Sequence, residues 1–318
     1  MSNSLVDKKE TKFIKKSNVI VRTITNDTSG LLTQKLFNFA ISSIKFDDNF
    51  NGIIKVNLND FCIFHDINNT NLYEKIIHKK KEMTIIEKEI DNITSLKFWL
   101  QDENKEEYSF INLFERGTWF KNQGILEFKV VQDLIKKHYI DLKKDYTNIY
   151  LPYTKTVTSK YSMRLYEYLR SYLYMNAKTK KTPIYKHEWD FEKLAKILNL
   201  GLNSSYFKNI SMLKIKILEP VKRDLLKTDI IFTYELIKVG RKYSKIILNT
   251  HLDLKKFNAQ NPELEKVSPK KEYKVCKEYI NKSKLIVYNL KQQKSKIIEK
   301  PILSDEEVKK IMQDFDNH

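Results

Sequence analysis

The stretch from Thr158 to Asn249 constrains the fold most strongly, because its apolar periodicity switches between helix and strand in a fixed order. Tyr161, Leu165, Leu169 and Tyr172 recur at helical spacing, with Thr158 or Ser159 as the cap. A short extended run, TPIYKHEW, follows at 182–189. Asp190 then caps a second helix, with Phe191, Leu194 and Leu198 on one face, and Gly201 is expected to end it. Ser204 or Ser205 opens a third helix that buries Ile210, Leu213 and Ile217. Two alternating runs flanking Gly240-Arg241-Lys242 close the unit as a β-ribbon. Helix, strand, helix, turn, helix and ribbon make a winged helix, a helix-turn-helix variant whose third helix enters the major groove while the ribbon lies over the neighbouring backbone.

The same order occurs earlier. A helix over 29–45 carries Leu32, Leu36, Phe39 and Ala40, a strand spans 52–58, and Asp60-Phe61 precedes Asp190-Phe191 by 130 positions. The pattern over 71–90 predicts one long helix in the third-helix position, and strands near 95–101, 107–115 and 124–130 predict a longer ribbon, followed by a short helix around 131–138. A common offset marks an internal repeat. Pro152 biases Leu151 towards extended backbone and places the junction between 145 and 153. The expected fold is therefore α+β: two tandem winged-helix (helix-turn-helix plus β-ribbon) domains with a C-terminal tail. An N-terminal arm covers 1–28, the first domain 29–145, the second 146–250 and the tail 251–318. Within the tail, Ser304 and Glu307 form a capping box and Val308, Ile311, Met312 and Phe315 one apolar stripe, an amphipathic helix near 304–316.

Charge separates the repeats. The formal net charge is +18, of which residues 1–150 contribute +2, residues 151–250 contribute +12 and the remainder +4. A lysine-rich coding bias would raise lysine everywhere and does not account for this concentration. The basic second block points to a polyanion, and the near-neutral first block to a protein–protein surface, hence a homodimer through the first domain. The Lys79-Lys80-Lys81 run of the first block lies among Glu74, Glu82, Glu87 and Glu89, which leaves DNA an auxiliary part there. No apolar run reaches a membrane span, no signal segment opens the chain, and Cys62 and Cys276 stand far apart, so a cytoplasmic protein without a metal, cofactor or membrane partner is expected.

Enzymes that act on nucleic acids fit poorly. There is no GxxxxGK[ST] phosphate loop, and His65, His78, His138, His187, His251 and His318 form no HxH, HxxxH or HExxH pattern. A nickase would need a histidine-rich metal pair, and a tyrosine recombinase several arginines with a histidine around its phosphate. The chain is read as a non-enzyme with no catalytic residues.

Candidate DNA contacts fall in three places. On the third helix, Lys208, Asn209, Ser211, Lys214 and Lys216 lie off the buried face, and these are types that meet base edges or phosphates; Tyr206 at the helix start either donates to a phosphate or packs. At the ribbon, Lys238, Arg241, Lys242 and Lys245 are placed on phosphates, with Arg241 also suited to a narrow minor groove. At the start of the first helix, Lys160 and Arg164 are placed on phosphate, Arg164 alternatively in a pair with Glu167 or Glu188. Pro220 predicts a kink, because the Lys216 carbonyl loses its helical partner.

SKYSMRLYEYLRSY (159–172), WDFEKLAKILNL (189–200) and ILEPVKRDLLKTDIIFTYELIKVGRKYSKIIL (217–248) resemble the second domain of plasmid replication initiators of the two-winged-helix Rep family. The carrying features are S-K-Y-S-x-R-L-Y-E, an L-E-P turn, a T-D before the ribbon and G-R-K at its tip. The resemblance spans roughly 30–250 and is strongest after 150; the first domain matches by element order. It implies double-stranded DNA with directly repeated origin sequences (iterons) as partner, and a first domain that dimerises in equilibrium with monomer or touches the far end of each repeat. It further implies help in opening an adjacent AT-rich segment without NTP hydrolysis, recruitment of a host initiator and helicase, and repression of the initiator's own gene by the dimer. The recognition helix here is poor in arginine, a departure that removes the bidentate fork and shifts readout towards Asn209, shape and water. The rival readings are a dimeric winged-helix repressor without initiator activity, a metal-dependent nickase, and a protein whose charge only solubilises it.

Overall fold

The computed structural model describes residues 13–25, 30–44, 50–102, 107–180, 184–201, 203–240 and 242–260, together with strands at 276–281, 284–289 and 294–298. The first described elements are β1 (Phe13–Ser17), α1 (Asn18–Arg22) and β2 (Ile24–Thr25), so part of the expected N-terminal arm is regular structure. Next come α2 (Leu31–Ser42), β3 (Ile53–Asn57), α3 (Leu58–His65) and a 3₁₀ turn (Asn69–Tyr73). A hairpin of β4 (Lys75–His78) and β5 (Lys81–Thr84) leads into α4 (Ile85–Thr94). A second hairpin, β6 (Lys97–Asp102) with β7 (Glu107–Asn112), precedes the ribbon β8 (Phe114–Phe120) and β9 (Ile125–Val130). The body ends with α5 (Gln132–Ile135), which widens into a π turn, and β10 (Tyr146–Tyr150), which pairs antiparallel with β1.

The long helix expected over 71–90 is not formed. Lys79 and Lys80 take positive φ values of 48° and 65°, the left-handed pair that a tight two-residue hairpin turn requires. The helix starts only at Thr84, which shares a reciprocal capping box with Glu87: the Thr84 N–H donates to Glu87 Oε2 at 2.6 Å and the Glu87 N–H to Thr84 Oγ1 at 3.3 Å. α4 then lies hard against β8. A Cβ on Gly117 would come within 2.5 Å of Ile90 Cγ2, so only glycine permits this approach.

The second body begins with α6 (Leu151–Thr156), not with extended chain, because Pro152 sits in its first turn where no N–H is needed. α7 (Lys160–Lys180), β11 (Ile184–Asp190), α8 (Phe191–Leu198), α9 (Ser205–Lys208), α10 (Ile210–Leu213) and α11 (Glu219–Leu225) follow. The ribbon of β12 (Ile230–Val239) and β13 (Lys242–Leu252) runs into α12 (Leu254–Gln260), whose Phe257 is fully buried. Strands β14 (Cys276–Asn281), β15 (Lys284–Asn289) and β16 (Lys294–Ile298) form a separate antiparallel sheet. The helix expected near 304–316 lies outside the described residues.

The repeat is visible in the sheets. β3-β9-β8 and β11-β13-β12 share one order, with the strand before the second helix on the edge and the last ribbon strand in the centre. The helix after that edge strand has equivalent caps in both bodies. Asn57 Oδ1 accepts the N–H groups of Asn59 and Asp60, and Asp190 Oδ1 that of Lys193, while Asp66 and Asn199 close the helices in left-handed conformation. The matching positions are thus Asn57 and Asp190, 133 apart, and the Asp60-Phe61 pairing at 130 is out of register by three.

A buried polar brace joins the bodies. Lys16 Nζ donates to both Glu167 oxygens at 2.8 Å and to Asn38 Oδ1 at 2.7 Å, and Asn38 Nδ2 donates to Glu167 Oε1 at 2.9 Å. Burial lowers the lysine's pKa and the Glu167 carboxylate works against that shift. Arg22 lies 3.8 Å from the Tyr172 ring centroid and donates to Ser171 Oγ at 2.9 Å. Deeper in the second body, the Arg170 guanidinium pairs with the Asp229 carboxylate, both fully buried.

Candidate nucleic-acid interface

The second and third helices of the second body meet at a turn closed by Asn199 (φ 52°) rather than by Gly201. Ser204 Oγ caps α9 by accepting the Tyr206 N–H at 3.3 Å. The third helix is broken at Asn209 (φ −125°, ψ 99°), whose Oδ1 accepts the N–H groups of Ser211 and Met212 at 3.0 and 3.3 Å and so starts α10. From Lys214 to Leu218 the helix widens into a π turn in which the Glu219 N–H reaches the Lys214 carbonyl. Pro220 gives the physical reason: it has no N–H to offer Lys216, and the extra residue per turn takes up the mismatch.

This segment has two unlike sides. Leu213, Ile217, Leu218 and Val221 are fully buried. Lys208, Asn209, Ser211, Lys214 and Lys216 are all exposed, as the sequence pattern requires. Met212 and Ile215 join them at 36% and 62% exposure, apolar residues absent from the polar contacts expected of this helix. The signal was available, since neither shares the face of Leu213 and Ile217. Asn209 is only half free for readout: its oxygen is used as a cap, which leaves its NH₂ as donor and no bidentate pairing with adenine.

The ribbon turns at Gly240 (φ 64°), with Val239 opposite Lys242. Lys238 and Lys242 are exposed, the Lys238 ammonium 5.0 Å from the Tyr243 ring centroid. Arg241 lies outside the described residues. Lys245 is turned to the neighbouring strand, where Glu188 at 2.6 Å pairs with its ammonium and raises its pKa. Tyr234 ties the ribbon to the start of α11 by donating to Glu219 Oε1 at 2.6 Å.

The remaining candidates sit elsewhere. Lys160 borders a small notch with Gln34, Arg164 and Lys196, and Tyr206 is half-buried edge-on to Tyr161 with ring centroids 6.3 Å apart. The Arg164 guanidinium donates to the carbonyls of Val21 at 2.8 Å, Ile197 at 3.1 Å and Thr23. Three carbonyl acceptors suit a planar fork, so Arg164 is part of the brace between the bodies. In the first body the corresponding helix is α4. It carries Glu87, Glu89 and Asp91, and the β4–β5 turn leans on it, with Lys79 Nζ 2.6 Å and His78 Nε2 3.3 Å from Asp91 Oδ2.

Two family models match the chain: the first winged-helix domain of the initiator replication proteins over residues 13–170, and their second winged-helix domain over 190–249. The chain belongs to the initiator replication protein family. No curated protein matches it. The initiator proteins of this family bind DNA in plasmid replication and are not a classical enzyme family. The first-domain match runs well into α7 and takes in Arg164 and Glu167, the brace residues. The second-domain match starts at the Asp190 cap and contains the broken helix and the ribbon. Among the described residues no helix is long and apolar enough to cross a membrane.

Proposed function

We propose that this initiator binds directly repeated origin DNA through its second domain, with α10 and the π turn in the major groove and the Lys238–Lys242 tip on the adjoining backbone. One observation carries the reading: the bared face of the broken helix, Lys208 to Lys216, stands on the domain that holds most of the net charge. Lys160, Tyr206 and Arg241 are proposed as supporting contacts at its margin, while Arg164 and Lys245 act through the scaffold. Binding along an array strains the neighbouring duplex, and AT-rich steps open at low cost. The chain supplies no phosphate-binding loop for NTP-driven opening, so host initiator and helicase complete the process in the cytoplasm. The first domain, near neutral and with an acidic α4, serves a homodimer that represses the initiator's own gene and exchanges with monomer. With about six phosphate contacts, affinity falls with salt at a log–log slope of roughly −5.

Selection of bound duplexes from a random library, with the whole chain and with Lys214→Ala/Lys216→Ala, tests the reading. A long asymmetric site, weakened by the double variant, is expected. A short two-fold symmetric site would favour a dimeric repressor, and no enrichment would remove the recognition-helix assignment.

A further inference from the structure

The exposed apolar side chains of the broken helix need their own explanation. Ile215 is 62% exposed and Met212 36%, in a segment whose other outward residues include Lys208, Asn209, Ser211, Lys214 and Lys216. A single exposed isoleucine on a surface is ordinary. Here, however, Ser211, Met212 and Ile215 stand at i, i+1 and i+4 on the outward side of one turn, with a lysine on each side of Ile215 in sequence. A protein partner is a poor occupant for such a patch, since interface centres are depleted of lysine. A duplex suits it. In the major groove the one apolar feature at a base edge is the C5-methyl group of thymine, and an alkyl side chain discriminates it by contact.

We propose that Ile215, supported by Met212, is a specificity determinant that reads thymine methyl groups, while Lys214 and Lys216 on either side hold the helix by phosphate or guanine. The inference rests on the proposed placement of this helix in the groove. It assigns base selection to the apolar residues of a helix that lacks arginine and whose asparagine oxygen is committed to a cap. The π turn contributes by widening the backbone at Lys214–Leu218, within which Lys214, Ile215 and Lys216 all face outward.

The test replaces thymine by deoxyuridine, one position at a time, in the duplex chosen by the selection above, and measures affinity for the whole chain and for Ile215→Ala. Loss of one buried methyl contact is expected to weaken the natural chain about three- to fivefold at one or two positions. The Ile215→Ala chain is expected to bind thymine and deoxyuridine duplexes alike at those positions. Because Ile215 is exposed, the variant is expected to keep its melting temperature, which is measured alongside. A specific site at which deoxyuridine has no effect, or has the same effect on both chains, overturns the inference and leaves the DNA-binding reading intact. A chain that selects no sequence at all overturns both.

Discussion

The two helices in the recognition position are built on the same plan and finished differently. In the first body α4 is a regular helix with Glu87, Glu89 and Asp91, leaned on by a lysine-rich hairpin and pressed against β8 through Gly117. In the second body the equivalent segment is broken at Asn209, widened before Pro220, and bare on the side that carries Lys208, Lys214 and Lys216. The sheet order and the caps of the preceding helix are shared. A duplicated scaffold thus fixes where such a helix sits, and the side chains on its outward face decide what it meets there. The proposed division, with DNA reading in the second body and the first holding it in place, rests on this difference.

The brace makes that division testable. Removing one partner of a buried ion pair leaves the other charge without compensation, and Glu167→Ala is expected to cost about 3–5 kcal/mol in urea unfolding. A Lys16→Met/Glu167→Leu chain, which removes both charges, is expected to recover most of that loss. If the single variant unfolds like the parent, the bodies are not held by this pair.

Matched cap variants separate reading from scaffolding. Asn57→Ala and Asn209→Ala each remove a side-chain oxygen that accepts two backbone N–H groups, a loss of about 1 kcal/mol. Both are expected to lower the urea midpoint, but only Asn209→Ala is expected to weaken binding to the selected duplex, by several-fold. Equal weakening by the two would erase the distinction between the bodies.

A smaller effect comes from pH. Burial, aided by nearby Lys35 and Lys155, holds the His65 imidazole at a pKa of about 3, and burial depresses His138 and His251 to about 4. The unfolded chain takes up these protons near pH 6.5 and the folded chain does not. Their contribution is therefore complete above that pH and is lost as the pH falls towards 4. The urea midpoint is expected to be lower at pH 5 than at pH 7, a window above the lowered carboxyl pKa values of Glu87 and Asp91. Burial lowers His187 as well, so each body holds two depressed histidines and probes in both are expected to respond.

Much of the second body was legible because its periods are clean: Leu165 and Leu169 in α7, Leu194 and Leu198 in α8, and the alternation of β12 and β13 are where the pattern puts them. The first body was harder. The turn at Lys79-Lys80 carries none of the glycine or asparagine that marks such turns, so a hairpin reads as helix, although Thr84 and Glu87 already announced the later start. The outward face of the broken helix followed from the spacing of its apolar residues, but the use of the Asn209 oxygen did not, because capping depends on a local break that periodicity does not encode. The sequence offers Arg164 a phosphate, or a pair with Glu167 or Glu188. Val21 and Thr23, which bond Arg164, and Lys16, which bonds Glu167, come from a segment more than 140 positions away, and only the fold brings them together.

The most direct measurement is the salt dependence of affinity for the selected duplex, compared between the parent, Lys214→Ala/Lys216→Ala and Lys79→Ala/Lys80→Ala. Each lost phosphate contact removes about 0.9 from the log–log slope. A slope shallower by up to about 2 is expected for the second-body variant, and an unchanged slope for the first-body variant. The opposite pattern, with the hairpin lysines setting the slope, would place DNA on the first body and contradict the proposed division.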